Sequence, residues 1–161
     1  MDKITLIVGG TGMLLECSRI LAKQSSLCLL PNRHPDIFSK LGGSVNSFYG
    51  NWEKEIDFFQ VCSKKLKDKK IDLLIWWCHR PYSQRLAPLM TSLLAPNAKV
   101  VEVIGSSNLD DLSKVEKRRL FPGSYLAVLG RGENGWLTHK EISQGVLEIV
   151  ESQQSKLIGR L

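Results

Sequence analysis

A chain of 161 residues with 43% hydrophobic and 24% charged residues has the balance of a globular protein, and is short for an enzyme with a separate substrate domain. Lysine and arginine exceed the acids, 22 to 16, for a net charge of +6. That excess is gathered in KKLKDKK (64–70) and KVEKRR (114–119), with no interleaved aromatics and no nucleic-acid module signature. It reads as solvated helix ends and loops, or as a basic cleft for phosphate-bearing small molecules, and not as a nucleic-acid surface. No apolar run approaches the roughly 18 residues of a membrane span, and the N-terminus lacks a signal-peptide pattern. Cys17, Cys28, Cys62 and Cys78 are scattered without CxxC or metal-ligand spacing. The expectation is a single cytoplasmic domain over residues 1–161, with reduced thiols and no metal.

In chain order, KITLIV (3–8) is short, β-branched and followed by glycines, as a strand buried on both faces is. A helix is predicted over 13–23 with Leu14, Cys17 and Leu21 inward. SLCLL (26–30) is a second strand stopped by Pro31, and SVNSFY (44–49) alternates as a third after a Gly-Gly turn. Over 54–66 the apolar residues Ile56, Phe59, Cys62 and Leu66 recur at helical spacing. IDLLIWW (71–77) is the near-continuous apolar run of a central fourth strand. A helix over 83–94 contains Pro88, which bends it. KVVEVI (99–104) and SYLAVL (124–129) are strands five and six, separated by a short charged helix over 109–120. The last helix opens at THKE, where Thr138 and Glu141 form a capping box and Ile142, Val146, Ile149 and Val150 make the inner stripe. The tail over 155–161 either adds an edge strand or hangs free.

Strands alternating with helix-length connections imply a parallel sheet covered on both faces. Right-handed crossovers make it a Rossmann-like, doubly wound α/β sheet of about six strands, order 3-2-1-4-5-6. Ligands then lie outside the carboxyl ends of strands one and four.

Between the first strand and first helix stands LIVGGTGMLLE (6–16). Gly10 and Gly12 match the first two glycines of GxGxxG, and Leu15 replaces the third. Gly10 permits the tight turn, Gly12 admits a pyrophosphate to the backbone, and the helix N-terminus supplies amide donors. Leu15 implies a helix that stands off slightly or is rotated; a ligand-free glycine turn is the other reading. At the end of the second strand, LLPNRHPD carries Arg33 where an NAD site often has a carboxylate. A guanidinium fork suits a 2′-phosphate, so NADP is favoured over NAD; an ordinary surface arginine is the alternative.

With these features the chain resembles the short-chain dehydrogenase/reductase family, over most of its length and in element order more than in motif identity. It looks similar to small bacterial members that share GGTGML and an ending like WLTHKEISQGVLEIV (136–150). The resemblance implies that Gly9, Gly10, Thr11, Gly12, Met13 and Leu14 hold the pyrophosphate of NADP (or NAD), with Asn32 and Arg33 at the adenosine ribose. Asn51 falls where the family often has an adenine-recognising Asp, and Trp52 beside it can stack. Cys78 and His79 follow strand four, where the family's Asn-Asn-Ala-Gly segment meets the cofactor; that motif is replaced by Trp77-Cys78-His79-Arg80. Ser107, with Ser106 beside it, matches the catalytic serine after strand five.

The family's Tyr-x-x-x-Lys pair has no counterpart, since Tyr125 is followed four residues on by Leu129. His79 and Tyr82 are the residues near the crevice able to carry a proton instead. The implied activity is that of an NADP-dependent oxidoreductase; a non-catalytic nucleotide-sensing or structural module is the alternative reading. The resemblance further implies a homo-oligomer.

Overall fold

The computed structural model describes residues 2–105 and 114–161. Seven strands form one sheet in the order β3-β2-β1-β4-β5-β6-β7, and every neighbouring pair is parallel. The strands are β1 (Ile4–Val8), β2 (Leu27–Asn32), β3 (Val45–Tyr49), β4 (Ile71–Trp76), β5 (Leu94–Gly105), β6 (Tyr125–Leu129) and β7 (Lys156–Ile158). The helices are α1 (Leu15–Gln24), α2 (Pro35–Phe38), α3 (Glu55–Leu66), α4 (Tyr82–Thr91) and α5 (His139–Ser152). The doubly wound expectation holds, and the tail contributes β7 as a seventh, edge strand. Among the described residues no helix is long and apolar enough to cross a membrane.

Alternation along the central strands supplies both layers of core. Leu6, Val8, Leu74 and Trp76 face one layer with Phe58 and Cys62 of α3 and Leu86 and Met90 of α4. Ile7, Leu73, Ile75 and Val101 face the other, against Cys17 and Leu21 of α1 and Val146 and Ile149 of α5. Burying each such Leu, Ile, Val or Phe side chain contributes about 1.5–3 kcal/mol. β4 is also tied across its layer: Trp76 Nε1 donates to Ser83 Oγ of α4 at 2.9 Å, and its ring meets Phe121 edge-on.

Several local expectations are corrected. α1 begins at Leu15, two residues later than predicted, because 9–14 are spent on the turn. In α3 the buried face is Phe58, Cys62 and Leu66, while Ile56 is 65% exposed. Cys62 and Leu66 are buried as predicted and Phe59 packs half-buried against the same core, so the stripe departs from the prediction in having the larger Phe58 in the core in place of Ile56. β5 starts five residues early, but its register jumps from Ile71↔Leu94 to Leu73↔Lys99. The intervening segment contains Pro96, which has no ladder N–H, so the regular ladder begins at Lys99 as the sequence implies. Of the charged helix predicted over 109–120, residues 109–113 lie outside the described residues, and a 3₁₀ turn occupies Glu116–Arg118.

The capping box forms as read: Glu141 N donates to Thr138 Oγ1 at 3.1 Å, and Thr138 N to Glu141 Oε1 at 2.9 Å. Gly145 brings α5 onto β7, since a Cβ there would stand 2.4 Å from Ile158 Cδ1.

Candidate functional site

The strand order reverses at β1, which lies between β2 and β4. The crevice at the carboxyl ends of these strands is where a parallel sheet of this type binds ligands. The β1–α1 turn closes its floor, with two of the glycine roles at other positions than the sequence expectation gives them. Gly9, not Gly10, makes the tight turn: its φ is +83°, and a Cβ would lie 2.4 Å from the Trp77 carbonyl oxygen. Gly10 carries the close packing usually given to the third glycine. A Cβ on it would meet Ile7 Cγ2 and Ser18 Oγ at 2.6 Å and Leu30 Cδ1 at 2.8 Å, and its carbonyl accepts Ser18 Oγ at 2.8 Å. This close seating of α1 explains why Leu15 is tolerated at the third position. Gly12 is exposed, and a Cβ there would touch nothing within 4 Å. Met13 is exposed as well, whereas the Leu14 side chain is buried in the core, so only its backbone can face a ligand.

Beside the turn, a cleft of about 160 Å³ is lined by Gly9, Thr11, Pro31, Asn32, Arg33, His34, Gly50, Asn51 and Trp52. Three strand ends thus bring together six of the residues singled out from the sequence. Pro31, His34 and Gly50 were missed; the only signal for them was that each adjoins a flagged residue, Asn32, Arg33 and Asn51 respectively. Asn32 is a wall and not a free hydrogen-bonding group. Its Nδ2 donates to Leu30 O and Ser47 Oγ, both at 2.9 Å, and its Oδ1 accepts His34 N at 2.8 Å. Asn51 Oδ1 likewise accepts Glu53 N at 3.0 Å. Arg33 is exposed and has no acidic partner among the described residues.

Trp52 meets His79 edge-on, with centroids 5.7 Å apart, joining the ends of β3 and β4. His79 is exposed, while its neighbour Cys78 is half-buried. Burial pushes the Cys78 thiol up to about 12, so it stays protonated at neutral pH and is a poor nucleophile or metal ligand. Ser106 and Ser107 lie outside the described residues, immediately after Gly105 at the end of β5. Next to that end, Arg118 Nη1 donates to Gly105 O at 3.0 Å. Desolvation and the nearby Arg80 charge both lower its pKa.

A larger cavity, about 720 Å³, opens at the amino ends of the strands between α1 and α5, lined by Lys3, Gln24, Asp72, Lys99 and Glu151 among others. It contains none of the predicted site residues. It also lies at the C-terminal end of α1, where the helix dipole disfavours a phosphate. The smaller cleft is therefore the better site for a phosphorylated ligand.

No family model and no curated protein sequence matches the chain. Solved structures do match in fold. One is described as a short-chain dehydrogenase/reductase family protein, at TM-score 0.68 and 13% identity, covering 96% of this chain and 93% of that one. A metagenomic short-chain oxidoreductase in complex with NADP matches at TM-score 0.67 and 12% identity, covering 98% and 96%. YwfH, an NADPH-dependent reductase involved in bacilysin biosynthesis, matches at TM-score 0.67 and 13% identity, covering 100% and 98%. The chain has the fold of short-chain dehydrogenase/reductase structures.

Proposed function

We propose that this chain is a single cytoplasmic domain that binds NADP at the carboxyl ends of β1, β2 and β3 and acts as an oxidoreductase on a carbonyl compound. The observation that carries this reading is the cleft in which the glycine turn, Arg33, Asn51 and Trp52 converge, with Arg33 lacking an acidic partner among the described residues. The residues fit the group: Gly12 leaves open the space that a Cβ would occupy beside the N-terminus of α1. Backbone amides of the turn hold the pyrophosphate, and Arg33 holds the 2′-phosphate through charge-assisted hydrogen bonds. Asn51 and Trp52 flank the adenine. Bound NADPH supplies a hydride. Ser107 polarises the substrate carbonyl, and His79 or Tyr82, both on the segment after β4, moves the proton.

One observation favours a binding-only module instead. Tyr125, the tyrosine nearest after Ser107, sits in β6 with its hydroxyl 3.5 Å from Gln153 Oε1, and Leu129 occupies the lysine position. Calorimetric titration with NADP and NAD tests the binding proposal, in the wild type and in Arg33→Ala. NADP is expected to bind more tightly, and the variant to lose that preference. No binding of either at millimolar concentration, or an unchanged preference in the variant, overturns it. NADPH consumption across a panel of aldehydes and ketones, lost in His79→Ala or Tyr82→Phe, separates the enzyme from the module.

A further inference from the structure

We infer that Ser143, on α5, is a positioning residue for the phosphate-binding turn, and that dinucleotide affinity depends on it. α1 has Leu14 at its N-cap, with no side-chain cap hydrogen bond. A leucine offers no acceptor, whereas Ser, Thr, Asp or Asn at this position would accept an N–H of the first turn. Ser143, 126 residues away in sequence from Cys17, supplies that acceptor: Cys17 N donates to Ser143 Oγ at 3.1 Å. Cys17 is the third helical residue, so this is the bond a local cap would have made.

The same hydroxyl donates its proton to the Met13 carbonyl oxygen at 3.3 Å. One hydroxyl can do both, having one donor and two acceptor sites. The Met13–Leu14 peptide is trans, so its C=O and N–H point in opposite directions. Drawing the Met13 carbonyl toward α5 turns the Leu14 N–H away from α5 and takes a negative oxygen off the open side of the turn. Ser143 is only 2% exposed, and Ile142, Val146 and Ile149 bury the same helix. The hydroxyl is therefore held in a fixed frame, and the last helix sets the orientation of peptides in the first loop.

This rests on the dinucleotide reading above. The test compares two probes, ADP-ribose, which carries a pyrophosphate, and adenosine 2′-monophosphate, which does not. Both are titrated into wild type, Ser143→Ala and Ser143→Thr, with circular dichroism of each free variant. In Ser143→Ala, ADP-ribose affinity is expected to fall roughly five- to tenfold, the equivalent of about one net hydrogen bond. Adenosine 2′-monophosphate affinity stays unchanged, and Ser143→Thr, which keeps the hydroxyl, retains wild-type binding of both. Equal ADP-ribose affinity in wild type and Ser143→Ala overturns the inference alone. So does a proportional loss of both probes, which signals a general structural role. If Ser143→Ala does not fold, Ser143→Cys, close in size but a weak donor and acceptor, carries the same comparison. A wild type that binds neither probe overturns the dinucleotide reading, and this inference with it.

Discussion

Gly10→Ala and Gly12→Ala, two residues apart in the same turn, should have opposite consequences. At Gly10 the new methyl would stand 2.6 Å from Ile7 Cγ2 and Ser18 Oγ and 2.8 Å from Leu30 Cδ1. All three neighbours are fully buried, so none can retreat into solvent. Overpacking of this kind costs about 1–3 kcal/mol. Displacing Ser18 also weakens its 2.8 Å bond to the Gly10 carbonyl, worth about 1 kcal/mol more. At about 2–4 °C per kcal/mol for a chain of this size, the melting temperature should fall by roughly 10 °C. Gly12 meets nothing within 4 Å and does not occupy the left-handed region. Alanine there should leave stability unchanged or raise it by up to about 1 kcal/mol, through the entropy of the unfolded chain. Its methyl would instead fill the space proposed for the pyrophosphate, lowering NADP affinity by about tenfold or more. Differential scanning calorimetry and NADP titration of both variants measure the two effects. A Gly10→Ala protein melting with the wild type, or a Gly12→Ala protein binding NADP as the wild type does, would refute this division of labour.

Three further outcomes are expected. Glu102, 2% exposed in β5, accepts Leu120 N at 3.0 Å, Phe121 N at 3.1 Å and Ser124 Oγ at 2.5 Å. Glu102→Leu strands those donors and should cost about 3–5 kcal/mol in urea unfolding; a loss under about 1 kcal/mol would mean that water replaces the carboxylate. Thr138→Ala removes the α5 cap and should cost about 1 kcal/mol, seen as a melting temperature lower by about 2–4 °C. Burial pushes the Cys17, Cys28 and Cys62 thiols from an ordinary 9.0 up to about 12. The unfolded chain ionises above pH 9 while the folded one does not until about 12. These thiols therefore leave stability flat below pH 9 and lower it as pH rises from there, by up to about 1.4 kcal/mol per unit for each thiol. Cys62→Val should make that alkaline decline shallower in urea titrations from pH 8 to 11; an identical decline would contradict the assignment.

The sheet was legible because its evidence is local. β1 and β4 are near-continuous apolar runs, buried on both faces as a central parallel strand must be, and helix-length connections between them leave few topologies. The Thr138–Glu141 cap was readable for the same reason, since both partners lie within one helical turn. The turn over 9–12 was recognisable as a glycine loop before any fold was known. Which glycine does which task was not, because that depends on Ser18 of α1, Leu30 of β2 and Trp77 just after β4. Ile56 and Phe58 make the same point in α3, where the spacing admits either face and packing against β4 selects the aromatic. The cleft is a further step removed: Asn32 as a wall residue, the meeting of Trp52 with His79, and the cap that Ser143 lends to α1 join residues 15 to 130 positions apart. Periodicity and turn chemistry, acting over a few residues, thus determined the order and kind of the elements. Close packing and long-range hydrogen bonds, which exist only once the sheet has assembled, decided which side chains face the crevice and which hold it in shape.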